Sequence, residues 1–331
     1  MKIIVPLAGK GTRLLPLTKR VPKPLVKVAG RPVMDYVMDA VAGAKLDVDE
    51  LIVITGHLKE QVEQYIRTHY KVKARFVEQK TLDGTAGAVD LARPYVDQDV
   101  LIIFVDTLFD ADLSVIHSAP ADGIIWAKEV EDYQRYGVIV TDAQGYMKRI
   151  VEKPDTPVSR LANIGLHYVK DWRALFAGID HVRKHPAGKG GEYYLTDAFQ
   201  HMVDHGRRIL TSPVAGWYDC GKVDTLLETN RHLLETGRAR QPKNLGPNCT
   251  IVPPVYIEDG VTIRDSRIGP NVTIEAGSDI QDSEMANTIV GRDVRIERAT
   301  VREAVIGDGQ VVKGREVRKV VMDAGEEALA R

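Results

Sequence analysis

Two cysteines in 331 residues, Cys220 and Cys249, are too few for a disulfide framework or a zinc quartet. An excess of charge of one sign is also missing. The chain carries 45 Lys and Arg against 46 Asp and Glu, a net charge of -1, so no nucleic-acid partner is expected. A small anion needs only a local cluster, which Arg13, Lys23 and Lys153 can make. No apolar run approaches the length of a membrane span, and no membrane partner is expected. The opening MKIIVPLAGKGT is too short in apolar length for a signal peptide and no small-residue cleavage site follows, which makes the cytoplasm the expected location. What remains is an ordinary globular composition, 44% apolar and 27% charged, in a chain long enough for two domains.

Residues 2–23 organise the rest. Ile3-Ile4-Val5-Pro6-Leu7 has strand length and β-branched character, and the glycine loop Gly9-Lys10-Gly11-Thr12-Arg13 follows at once. Two glycines let the backbone approach a ligand closely and leave N–H groups free to cradle phosphate. Arg13 can fork onto phosphate oxygens, and Lys23 adds a second cation. The common phosphate loops do not fit: GxxxxGK[ST] is absent, and the third glycine of GxGxxG is Leu14. Up to about residue 220, helix-like and strand-like patterns alternate. Helices are predicted over 32–42 and 58–69 and from 87, and strands over 51–55, 74–77 and 100–105. This order predicts a Rossmann-like α/β fold, a mainly parallel sheet with helices on both faces. Ligands then sit beyond the carboxyl ends of the strands. The glycine loop stands at one such end and Asp106 at another, where a carboxylate either turns the chain or holds Mg²⁺ against a phosphate.

The glycine loop with Pro22-Lys23 resembles the GxGTR…PK signature of the sugar-1-phosphate nucleotidylyltransferases, and further segments in that family's order extend to about residue 235. The resemblance implies transfer of a nucleoside monophosphate from a nucleoside triphosphate to a sugar-1-phosphate, with Arg13 and Lys23 as catalytic residues. It implies a Mg²⁺ site made by Asp106 and by Asp219 of Trp217-Tyr218-Asp219-Cys220-Gly221, which is similar to the family's W-x-D-x-G. Residues 79–88, QKTLDGTAGA, resemble its base-recognition loop. Leu7, Gly9, Gly11, Thr12, Gln79 and Gly84 would then meet the nucleotide, with Gln79 reading a base edge and Gly84 admitting the ring. Gly137, Glu152, Lys153 and Asn163 would face the sugar phosphate, Lys153 neutralising it and Glu152 accepting a sugar hydroxyl. His181 with His185 and His201 with His205 have the i, i+4 spacing of metal ligands, yet HMVDH lacks the glutamate of HExxH, and these are read as solvent-facing. Cys220 is read as a packing residue beside Asp219.

Near residue 240 the pattern changes. A helix over 228–234 and a polar linker over 236–244 precede apolar residues at nearly every sixth position, from Ile251, Ile257 and Ile263 onward. These steps predict a short left-handed parallel β-helix over 241–331 behind a catalytic domain over 1–240. At about 18 residues per coil, 251–313 holds three to four coils, with 326–331 as a cap. No histidine follows the linker, so the acyl transfer that some bifunctional relatives carry on this helix lacks its base; assembly or regulation is the expected role, and a homo-oligomer stays open. Substrate hints conflict. The loop is one residue shorter than LAGGxGTR, as in the uridylyltransferase branch, GTAGA is like the guanylyltransferase branch, and the tail is like long-form glucose-1-phosphate thymidylyltransferases. Gln79 and the tail favour dTTP or UTP with glucose-1-phosphate. A mannose-1-phosphate guanylyltransferase and a non-catalytic nucleotide-sugar sensor are the alternatives.

Overall fold

In the computed structural model, which describes residues 1–242, 245–323 and 325–329, the apolar runs of the first hundred residues become strands, all but the half-buried edge strand Ala74–Glu78 buried on both faces. They are β1 (Lys2–Pro6), β2 (Glu50–Thr55), β3 (Ala74–Glu78) and β4 (Val100–Ile103). They run parallel in the order β3-β2-β1-β4, joined through α1 (Val33–Gly43), α2 (Lys59–His69) and α3 (Thr85–Asp90). Ile3, Ile52 and Ile102 are wholly inaccessible, as strands covered by helices on both sides require. All four carboxyl ends therefore lie along one edge, and the Leu7–Gly9 loop, Gln79 and Asp106 follow three of them.

Beyond β4 the sheet becomes mixed. β5 (Gly123–Glu129), β6 (Gly137–Thr141), β7 (Met147–Glu152), β8 (Leu161–Val169) and β9 (Ile209–Pro213) complete it. β8 runs antiparallel to β4, β5 and β6, β7 pairs antiparallel with β6, and β9 lies parallel to β5. The amphipathic α4 (Trp172–Arg183) and α5 (Leu195–Asp204) put Leu175, Phe176, Ile179, Phe199 and Met202 into the core of this sheet.

The chain packs as two compact units, Met1–Gly9 with Val37–Trp217, and Lys10–Tyr36 with Tyr218–Arg331. Where the sequence suggests one boundary near 240, the chain passes from unit to unit after Gly9, Tyr36 and Trp217. The second unit holds the glycine-loop segment, α6 (Val223–Leu233) and the C-terminal strands. The last two residues of the predicted linker and of the predicted cap lie outside the described residues.

The C-terminal parallel strands fit a short β-helix. Ile251, Ile268, Met285, Val301 and Val317 stack in register on one face. Ile257, Ile274, Val290, Ile306 and Met322 stack on a second, and Ile263, Ile280, Ile296 and Val312 on a third. Partners in these ladders are 17 and then 16 residues apart, not 18, because five-residue steps replace some of the sixes. The corners are turned by residues with positive φ at the same spacing. Asn248, Asp265, Asp282 and Arg298 form one series, and Asn271, Asn287, Glu303 and Lys319 another. The strand Glu326–Leu329 closes the last coil, antiparallel to Val320–Asp323.

Candidate active site

The predicted site residues divide between the two units. In the second unit, the glycine loop leaves Gly11 at φ +62°, a left-handed conformation in which a Cβ would stand 2.9 Å from Thr18 Cγ2 and 3.3 Å from Lys23 Cβ. Only glycine fits there. The buried Thr18 hydroxyl donates to the Gly11 carbonyl at 2.8 Å, which holds the loop shut behind Thr12 and Arg13, both exposed.

Arg13, Lys23 and Asp219 converge. A Cβ placed on Gly221 would lie 2.8 Å from Asp219 Oδ1, 2.9 Å from an Arg13 terminal nitrogen and 3.3 Å from Lys23 Nζ. The Asp219 carboxylate is oriented by two donors, the Gly221 N–H at 2.7 Å and the Thr225 hydroxyl at 3.2 Å. The Thr229 hydroxyl also donates to the Asp219 carbonyl, at 3.2 Å. Two cations and an acid around one glycine make a site for an anion with a cation beside it. Thr18 and Thr225 went unseen in the sequence, because a supporting hydroxyl seven or six residues away has no motif. Cys220 is buried beside Asp219, as expected.

In the first unit, Leu7 is buried and its N–H donates to Ile54 O at 2.7 Å. Gly56 permits that approach, since a Cβ there would meet Ala8 at 2.8 Å. Gly9 has nothing within 4 Å of its Cβ direction, so the space beside it is open to a ligand. Gln79 is buried, and its amide nitrogen donates to Asp83 Oδ1 at 3.1 Å and Gly84 O at 3.4 Å. These bonds commit the amide nitrogen to the protein itself. Gly84, at φ +108°, is demanded by protein rather than by a ring: a Cβ would strike the Tyr193 backbone at 2.4 Å.

Gly137, Glu152, Asn163 and Thr196 are brought together. A Gly137 Cβ would stand 2.8 Å from Glu152 Oε2 and Thr196 Cγ2 and 3.9 Å from Asn163 Nδ2. The Thr196 hydroxyl donates to Glu152 Oε2 at 3.1 Å, and Lys153 Nζ lies 3.8 Å from Oε1. Burial pushes the Glu152 carboxyl up, against the opposing charge of Lys153. Lys153 adopts φ +42° and lies 5.1 Å over the Tyr194 ring. Asn163 Oδ1 accepts from the Gly165 N–H at 2.9 Å and from His167 Nε2 at 2.8 Å. His167 is held neutral by burial, its pKa pushed down to about 3, so its Nε2 is assigned the proton. An open cleft of about 530 Å³ beside this cluster is bordered by Glu152, Gly188, Tyr194 and Asp197.

Asp106 is half-buried in the turn after β4. Next to it, Thr107 Oγ1 is buried without a hydrogen-bond partner, an atom that a bound ligand or ion would satisfy. In the second unit, the doubly oriented Asp219 carboxylate is by its chemistry a hard oxygen donor, of the kind a divalent cation takes. The four histidines behave otherwise. His181 on α4 and His201 on α5, with His185 and His205 just past the ends of these helices, form a row of rings with centroids 3.9–4.3 Å apart, exposed except for the half-buried His201. Among the described residues no group of three or more His, Cys, Asp or Glu is arranged to hold a metal, and no helix is long and apolar enough to cross a membrane.

The pattern of the nucleotidyl transferase family matches residues 2–236. A bifunctional protein GlmU of Methanococcus aeolicus is 32% identical over 80% of this chain and 62% of its own, so the chain spans about three fifths of that relative's length. A glucose-1-phosphate thymidylyltransferase of Streptomyces antibioticus is 29% identical over 97% of this chain and 90% of its own. A crystal structure of UDP-glucose pyrophosphorylase complexed with UDP-glucose superposes with a TM-score of 0.64, at 26% identity, over 71% of this chain and 98% of that one.

Proposed function

As the chain belongs to the nucleotidyl transferase family, we propose that it transfers a nucleoside monophosphate from a nucleoside triphosphate to a sugar-1-phosphate and releases pyrophosphate. The observation that carries this is the convergence of Arg13, Lys23 and Asp219 around Gly221. The attacking sugar phosphate is already an anion at neutral pH, so the reaction needs no general base. Its obstacle is the approach of anions, which positioning and charge neutralisation overcome. Arg13 and the loop amides bind the departing pyrophosphate, Lys23 offsets charge at the α-phosphate, and Lys153 holds the sugar phosphate. Glu152 accepts a sugar hydroxyl, Asn163 and Gly137 shape the sugar face, and Leu7, Gly9, Gly11, Thr12, Gln79 and Gly84 border the nucleotide.

Enzymes of this family generally use a divalent metal; we take it as Mg²⁺, with Asp106 and Asp219 as its carboxylates. When bound, it supplies positive charge against the phosphate oxygens. Glucose-1-phosphate with dTTP or UTP is the preferred pair, supported by the thymidylyltransferase likeness over nearly the whole chain.

Pyrophosphate release with Mg²⁺ is the test, over a grid of nucleoside triphosphates against glucose-, mannose-, galactose- and N-acetylglucosamine-1-phosphates. One dominant pair is expected. Asp106→Asn should then cut turnover by roughly 10²–10³-fold, the scale of losing one electrostatic stabiliser, in a protein that still folds. A blank grid from protein that binds a nucleotide sugar would replace the enzyme with a sensor.

A further inference from the structure

The segment Lys10–Tyr36 carries Arg13 and Lys23, and it packs with the β-helix unit rather than with the strand it follows in sequence. Its central tie is Asn230 of α6, wholly inaccessible to solvent. Asn230 Oδ1 accepts from the Ala29 N–H at 2.9 Å and from the Thr273 hydroxyl at 2.7 Å, and Nδ2 donates to Asn271 O at 3.5 Å. One side chain thus joins the segment, the helix that follows Asp219 and a coil of the β-helix. A second tie is Lys27, which pairs with Glu275, a residue 4% exposed that also faces Arg292 at 3.5 Å. Lys19 adds an exposed pair to Glu326 at 2.6 Å, and the exposed Arg20 reaches the buried Asp323 at 3.7 Å.

The backbone is strained where it is tied. Ala29 at φ +44° and Gly30 at φ +79° make the two-residue turn between the strands Lys27–Val28 and Arg31–Pro32. A left-handed alanine brings its Cβ close to the following carbonyl oxygen and persists only where its surroundings fix it. Here they are the Asn230 oxygen on its N–H and the Tyr256 ring, 2.2 Å from where a Gly30 Cβ would stand. The path to the cations is short. Lys23 opens the turn Lys23–Leu25, its carbonyl accepts from the Val26 N–H at 3.2 Å, and Val26 O accepts from Val33 at 3.0 Å.

We propose that Asn230 and Lys27 are positioning residues for nucleotidyl transfer, holding Lys10–Tyr36 on the β-helix so that Arg13 and Lys23 meet at Gly221. The β-helix is then a working part of the catalytic apparatus rather than an assembly module. This rests on the roles given above to Arg13 and Lys23.

The test uses the full chain carrying Asn230→Ala or Lys27→Met, assayed well below the unfolding temperature. Turnover should fall about 10–100-fold, the scale of an ångström of misplacement, with KM for the sugar-1-phosphate unchanged. Lys27→Arg should recover turnover to within about threefold, since it restores the charge that faces Glu275. In an Arg13→Ala background Asn230→Ala should cost less than about threefold more, because the group it acts through is gone. Lys27 is partly exposed, so Lys27→Met keeps the question open to test if Asn230→Ala does not fold. Unchanged turnover in both variants, or an undiminished loss without Arg13, overturns the proposal. A wild type inactive on every substrate pair overturns the reaction instead. Amide exchange at Leu14 and Val26 then decides whether the segment is held: faster exchange in Lys27→Met supports the clamp, and unchanged exchange overturns it.

Discussion

The half-buried Glu152 and the buried His167 are ionisable groups whose environments act in opposite directions on stability. Burial raises the Glu152 pKa from 4.5, so the folded state holds its proton more tightly than the unfolded chain does. The resulting stabilisation is complete below pH 4.5 and is lost as pH rises through the folded value. His167, pushed down to about 3, does the reverse: its stabilisation is present above pH 6.5 and is lost as pH falls toward 3. Urea unfolding from pH 4 to pH 8 separates the two. Glu152→Gln should be more stable than wild type at pH 7, with the gap closing as pH falls to 4.5, while KM for the sugar-1-phosphate rises. A gap that does not change with pH would remove the titration argument. At this scale the sequence shows side-chain types but not partners. Gln79 is legible as an amide beside a glycine loop, whereas the capture of its nitrogen by Asp83 and Gly84 depends on how two loop turns fold back. Gly84 is legible as an obligatory glycine, but its reason, the Tyr193 backbone, comes from more than a hundred residues downstream.

Elements were the most legible scale where apolar runs decide burial. β2 and α2 fall within a residue of their sequence patterns, because a strand covered on both faces needs an unbroken apolar run and a surface helix needs one stripe. The antiparallel placement of β8 against β4 is not written in either strand, since a buried strand reads alike in both directions. The β-helix was visible from its inward isoleucines, but its coil length was not. That length is fixed at the corners, where left-handed residues recur every 16 or 17 positions. One corner series runs Asn248, Asp265, Asp282 and Arg298; the first three tolerate that conformation and arginine does not. Arg298→Asn should therefore raise stability by about 0.5–1 kcal/mol. The exposed ion pair of Arg298 with Glu297 is worth too little to offset that gain. Thermal unfolding of the variant checks it, and a lowered midpoint would show that the corner carries no strain.

At the scale of the molecule, the sequence suggests consecutive domains and the fold interleaves them. A boundary can be read from composition only when it lies in a polar linker. The crossing after Gly9 lies inside a functional loop, and the contacts that assign Lys10–Tyr36 to the second unit come from Asn230, Tyr256 and Glu275, some two hundred residues away. This arrangement has a consequence for cooperative opening. Amides that share a packing unit tend to lose protection together, so weakening the β-helix core should loosen the segment that holds Arg13 and Lys23. Ile280 is wholly buried between Ile263 and Ile296, and Ile280→Ala should cost about 2–5 kcal/mol through lost burial and the cavity left behind. Hydrogen exchange of the full chain at 25 °C then distinguishes the two partitions. If the units are as the contacts divide them, Leu14, Val26 and Val33 lose protection in step with Ile274 and Ile296, while Ile4, Ile52 and Ile102 in the sheet keep theirs. If the amides of Lys10–Tyr36 stay protected with the sheet, the segment belongs to the strand it follows, and its ties to the β-helix are surface contacts of little energetic weight.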